Sequence, residues 1–170
     1  MTTPPLNQSP LMDDGRLHQS WADYFQADGN QSVATATLVS HMGDTLSSAV
    51  ASGAAVALVT AVAKDIATLS LPIGDWDVSG TVGFLPAATT VPTVLGGWVG
   101  TVANTVPAEA GLGSAFHLEL SFATGARQVF AVGAQRFLLT VATTVRLGAL
   151  AAFTVSTMGA FGFMLARRRK

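Results

Sequence analysis

The chain has 170 residues, 49% hydrophobic and 11% charged, with a net charge of -1 and no cysteine. That length gives one domain plus flanking segments. The near-neutral charge excludes an overall field that gathers nucleic acid or an anionic surface, and the lack of cysteine excludes disulfides and thiolate zinc sites.

Residues 1–31 are polar, with Pro4, Pro5 and Pro10 and the acids Asp13, Asp14, Asp23 and Asp28. Such a stretch stays extended and has too few apolar residues for a core. Within it, "LHQSWADYFQ" (17–26) spaces Trp21, Tyr24 and Phe25 three to four residues apart, one face of a short helix. Ser20 is placed to cap that helix. Aromatics on a short arm are typical docking anchors. Residues 1–31 therefore read as an attachment arm, with Trp21, Tyr24 and Phe25 as its partner-binding residues. The competing reading packs them on the protein's own body. No signal peptide is visible in "MTTPPLNQSPLMDDG".

Residues 32–54 read as a transition or linker segment, and 55–170 as the folded domain. Strands are predicted near 33–39, 54–62, 65–71, 75–85, 93–102, 115–123, 127–133 and 135–145. A further stretch, 148–166, is too long for one strand and breaks near Met158-Gly159-Ala160.

The clearest of these lies in "LSLPIGDWDVSGTVGF" (69–84). From Trp76 every second residue is apolar or small: Trp76, Val78, Gly80, Val82, Phe84. Asp75, Asp77, Ser79, Thr81 and Gly83 form the other set. A period of two puts the sets on opposite faces of a strand, so Trp76 faces a core and both aspartates face water. "LPIG" before it is turn chemistry. "FHLELSF" (116–122) alternates in the same way, with Phe116, Leu118, Leu120 and Phe122 inward. Many short strands with Gly/Pro turns and no helical period indicate a sandwich, jelly roll or barrel.

Two windows are long and uncharged enough to raise a membrane question: 46–63 and 147–166, the second followed by "RRRK". In 147–166 bulk sits on the odd positions, an alternation that a lipid-facing helix does not need. No membrane span is expected.

Chemistry is sparse. There is no nucleophile elbow, phosphate loop, dinucleotide fingerprint or zincin motif. His18, His41 and His117 are far apart in sequence. His117 and Glu119 share a strand face without a third ligand. Asp75 and Asp77 read as solvated rather than as paired acids. The terminal basic run reads as solubilising. Arg127, Arg136 and Arg146, in or beside strands, are candidates to pair with acids of a neighbouring subunit. No catalytic residue, metal site or cofactor is assigned.

Three stretches carry a resemblance: "IATLSLPIGDWDVSGTVGFLPA" (66–87), "GGWVGT" (96–101) and "TTVRLGALAAFTVSTMGAFGFMLARRRK" (143–170). Together they resemble a domain family of tailed-phage and prophage fibre proteins, over about 100 residues from near 55 onward. "QSWADYFQ" is similar, more loosely, to the N-terminal virion-attachment peptides of such proteins. Leu147-Gly148 departs from the family pattern, where an aromatic is common. The resemblance implies a virion structural protein, a homotrimer with a jelly-roll head similar to tumour-necrosis-factor or C1q-like domains, binding through exposed loops.

The resulting expectation is an all-β jelly-roll or β-sandwich domain with an extended N-terminal arm, trimeric and non-enzymatic. It would serve as a tail, neck or head fibre or a capsid decoration protein of a bacteriophage. Its partners would be itself, other virion proteins (capsid, neck or tail) and a host-surface glycan or protein, with no nucleic acid. Loops 86–92, 103–114 and 123–128 are the candidates for host attachment. The alternatives are a small membrane-associated protein anchored by 147–166 and a carbohydrate-binding module.

Overall fold

The structure is a computed structural model and describes residues 43–108 and 115–169. Its elements are β1 (Thr45–Val50), a 3-10 turn (Ser52–Ala54), β2 (Val56–Leu58), β3 (Lys64–Leu71), β4 (Gly74–Pro86), β5 (Val91–Gly100), β6 (Phe116–Glu119), β7 (Gln128–Leu139), β8 (Thr143–Thr154) and β9 (Met158–Arg168). They form two antiparallel sheets. One runs β1-β9-β4-β7, with β2 also paired to β9; the other runs β3-β8-β5-β6. Six of the eight connections between these strands cross from one sheet to the other; β1–β2 and β5–β6 do not. This is the jelly-roll order of a two-sheet sandwich, as the sequence pattern leads one to expect.

The core lies between the sheets. Trp76, Val78, Val82 and Phe84 of β4 are fully buried, as their alternation predicts, and face Leu95 and Val99 of β5 and Val145, Leu147, Ala149 and Ala151 of β8. Phe84, Phe116 and Phe130 meet edge-on or tilted, with centroids 5.1–6.5 Å apart, a favourable arrangement of ring quadrupoles. Burying a large apolar side chain of this kind contributes roughly 1.5–3 kcal/mol.

The stretch 147–166 is strand, as its alternation predicts: the end of β8, a turn at 155–157 and most of β9. No helix among the described residues is long and apolar enough to cross a membrane. Several other expectations change. The turn comes before Met158, because Val155 takes a left-handed conformation (φ 78°) that ends β8. The turn also reverses the phase of alternation. In β8 the odd residues face the core; in β9 Met158, Ala160, Met164 and Ala166 do, and Phe163 is exposed.

Residues 128–139 form one strand rather than two. The irregularity near Gly133-Ala134 is a bulge, where β7 advances from Val132 to Gln135 while β4 advances only from Gly80 to Val78. A bulge inserts a residue without ending pairing. β6 stops at Glu119, and Leu120 is exposed instead of inward. Within 32–54, read as a transition segment, the described part carries β1, paired to β9 from Thr45↔Arg167 to Val50↔Gly162. The predicted strand 33–39 lies outside the described residues.

Candidate functional site

The strand directions give the sandwich a base and a tip. At the base lie the 72–73 turn, the segment after β5, the β7–β8 turn and the start of β1. Gly43 N–H donates to Arg168 O at 3.0 Å, and Arg168 N–H to Asp44 O at 2.8 Å. The described chain thus begins beside its C-terminal arginines. At the tip lie 59–63, 87–90, 120–127 and 155–157.

Thr90 organises the tip. It is fully buried. Its Oγ1 donates to Thr157 O at 2.7 Å, and its own carbonyl accepts from Gly125 N–H at 3.0 Å. Ala87 N–H also donates to Thr157 O. One threonine therefore joins three loops. Thr60 fastens the fourth: its Oγ1 donates to Phe153 O at 3.1 Å and accepts from Phe153 N–H at 3.0 Å.

The surface so assembled carries no charged side chain from 59 to 63, 87 to 90, 120 to 126 or 155 to 157. Val59, Val62, Leu120 and Val155 are exposed on it, Val155 at 78%. A β-branched residue at positive φ is a conformational outlier, and such strain concentrates at contact sites. Of the three loops predicted to contact a host, 86–92 and 123–128 meet at this tip. The described part of 103–114 does not join them: it follows the base end of β5 and turns back along the sheet, where Asn104 and Asp65, the register partner of Gly148 in the middle of β8, exchange two backbone–side-chain hydrogen bonds of 2.8 and 2.9 Å.

Asp75 does not face water. It stands in the outward row of β4 but is buried, because Arg136 of β7 folds over it with two hydrogen bonds of 2.8 and 2.7 Å. The hydrogen bonds and then the charge of Asp75 raise the Arg136 pKa above its ordinary value. Asp77 is 40% exposed and accepts from Arg169 at 3.2 Å. The two acids are thus held by separate arginines and are not a catalytic pair. Arg146 likewise bonds Asp65 at 2.8 Å, and Arg127 lies 4.4 Å over the Phe161 ring. All three arginines expected to seek a neighbouring subunit have contacts within their own chain.

His117 and Glu119 are 3.0 Å apart and exposed. Among the described residues no group of three or more acids and histidines is placed to hold a metal. Trp21, Tyr24 and Phe25 lie outside the described residues. Sequence reasoning missed the role of Thr90; a threonine beside a turn carries no pattern of its own.

No family model matches this chain, and no curated protein does. Solved structures that it resembles include the structure of infectious bursal disease virus Gx strain (TM-score 0.47, 8% identity, 76% of this chain and 33% of that chain). Others are the T13 particle of the same virus (0.42, 10%, 76% and 32%) and its VP2 subviral particle (0.39, 11%, 75% and 30%). This chain spans about a third of the length of those chains.

Proposed function

We propose that this chain is a non-enzymatic structural component of a bacteriophage particle: a tail, neck or head fibre, or a capsid decoration protein, working as a homotrimer. Residues 1–31 hold it to capsid, neck or tail proteins through Trp21, Tyr24 and Phe25. The tip, whose loops carry a single charged side chain at Arg127, points away from the particle and meets a host-surface glycan or protein.

The observation that carries this reading is the polarity of the domain. Gly43 lies at the base with the C-terminal arginines, and the Thr90-centred loops lie at the other end. A projecting appendage needs a tether at one end and a contact surface at the other. The sequence resemblance at 66–87, 96–101 and 143–170 supports the same class. A jelly roll by itself serves many functions.

The test is incorporation. Deleting 1–31 leaves a soluble body with a nearly unchanged melting temperature, and abolishes labelling of particles by antibody against 55–170 in electron microscopy. Trp21→Ala with Phe25→Ala weakens labelling in the same direction, because three arms amplify a modest contact by avidity. If the truncated chain still loads normally, attachment runs through the β domain and the tether reading fails.

A further inference from the structure

The outer face of the β1-β9-β4-β7 sheet is not built as a wet face. The phase reversal at Val155 leaves β9 with small or flexible residues inward and with Phe161, Phe163 and Leu165 outward. Phe163 is 42% exposed. The register partners of this row on β4 are Ser79, Thr81 and Gly83, and on β1 they are Ser47 and Ala49. One bulky ridge therefore runs between two troughs of small residues. The Gly83 trough is deep enough that the Phe161 ring lies across it: a Cβ on Gly83 would stand 2.0 Å from Phe161 Cζ. Beyond it, Val129 of β7 is 54% exposed.

We infer that this face is the surface through which copies of the chain associate, the β9 ridge of one copy seating in the β4 trough of the next. This deepens the self-association part of the proposed function. Three observations favour a second copy as the occupant. The first is shape. Phe161 fills the Gly83 end of the trough within its own chain, so the open trough runs over Ser79 and Thr81; the ridge of Phe163 and Leu165 beside it has the same length and is complementary to it when displaced by one strand.

The second is area. Four strands about 4.8 Å apart and β9, 11 residues long, at about 3.3 Å per residue give a face of roughly 700 Å². A stable interface covers about 800 Å² on each partner.

The third is charge. Asp75 is neutralised by Arg136 and Asp77 by Arg169, so covering them strands no unpaired carboxylate. The face therefore does not select a partner of opposite charge. Arg127 and Arg167 stand at its two ends, leaving an uncharged centre around Phe163 with a charged rim, consistent with the depletion of charge at interface centres.

The experiment uses the full chain in light scattering coupled to size exclusion. The wild type is expected as a multimer. Phe163→Glu reduces the mass to that of one chain, with far-UV dichroism unchanged. Leu120→Glu, a change at the exposed tip, leaves the mass as it was. A wild-type multimer whose mass survives Phe163→Glu overturns this inference alone; a monomeric wild type overturns the self-association reading as well.

A second measurement covers the case in which Phe163→Glu fails to fold. The chain has no cysteine, so Phe163→Cys chains mixed with Thr81→Cys chains form disulfides only between copies. The mixture is expected to cross-link several-fold more than either variant alone. No excess over the single variants overturns the seating of ridge in trough.

Discussion

Trp76 sits between the two sheets, and Trp98 sits outside one of them. Trp76 is buried because β4 alternates, and its Nε1 donates to Pro72 O at 3.0 Å. Arg168 closes its outer edge, with the guanidinium 5.5 Å from the ring. Trp98 is on the outward row of β5, yet it is only 1% exposed. Its ring lies flat on the backbone of its register partner Gly148, where a Cβ would stand 2.3 Å from the indole. Pro107 stands over the neighbouring Gly100, on the Cδ1 side of that ring. Its Nε1 is buried with no hydrogen-bond acceptor among the described residues. The first tryptophan is buried by strand period, the second by a bed that a distant glycine provides. Period can be read along a strand; a bed made 50 residues away cannot.

The largest way to break this contrast is Trp76→Ala. It empties a core site and is expected to cost about 3–5 kcal/mol in chemical denaturation. A loss under 1 kcal/mol would mean that Trp76 is not part of the core.

Gly148→Val is next. Its side chain has to displace the rigid indole of Trp98, so overpacking of about 1–3 kcal/mol is expected. Intrinsic fluorescence should report Trp98 moving into water. An unchanged spectrum and stability would show that the glycine bed does not seat Trp98.

The tryptophan-to-phenylalanine pair sharpens the comparison. Both variants lose similar ring volume, but only Trp76→Phe loses a hydrogen bond. It should cost about 1 kcal/mol more than Trp98→Phe in thermal melts. Equal losses would mean that the Pro72 bond contributes nothing.

The smallest effect belongs to Asp77→Asn, expected to stay within about 0.5 kcal/mol, as for other exposed positions with a solvent-screened partner. A loss approaching that of Trp76→Ala would reverse the assignment of faces on β4.

The same distinction explains what was legible in the sequence. β4 was read nearly to its ends, because its two faces differ in chemistry and its turn carries Pro72 and Gly74. The sandwich followed from repeated alternation. Asp75 was misplaced because its cover, Arg136, lies 61 residues on, and alternation predicts a face but not what folds over it. β7 looked like two strands because a bulge at Gly133-Ala134 interrupts the pattern without breaking the ladder. The odd-position bulk of 147–166 was real, yet Val155 changes which side of the sheet it occupies. The tip was half legible: its loops were visible as turns, but the bonds of Thr90 and Ala87 that bring 87–90, 120–127 and 155–157 together were not.

The place of β9 in its sheet bears on how the molecule is made. It follows every other described strand in the chain, yet it lies between β1 and β4, pairing Thr45 with Arg167 and Pro86 with Met158. During synthesis the other strands emerge first, and β1 and β4 then each present an open edge, with no neighbour to join them. Such edges invite mispairing with other chains. The sheet cannot grow outward strand by strand. It has to wait for a long-range closure, which is slow by nature. A nascent chain stalled before residue 158 would be an unfinished and adhesive molecule, so its safe assembly depends on quick completion or on a chaperone that covers those two edges meanwhile.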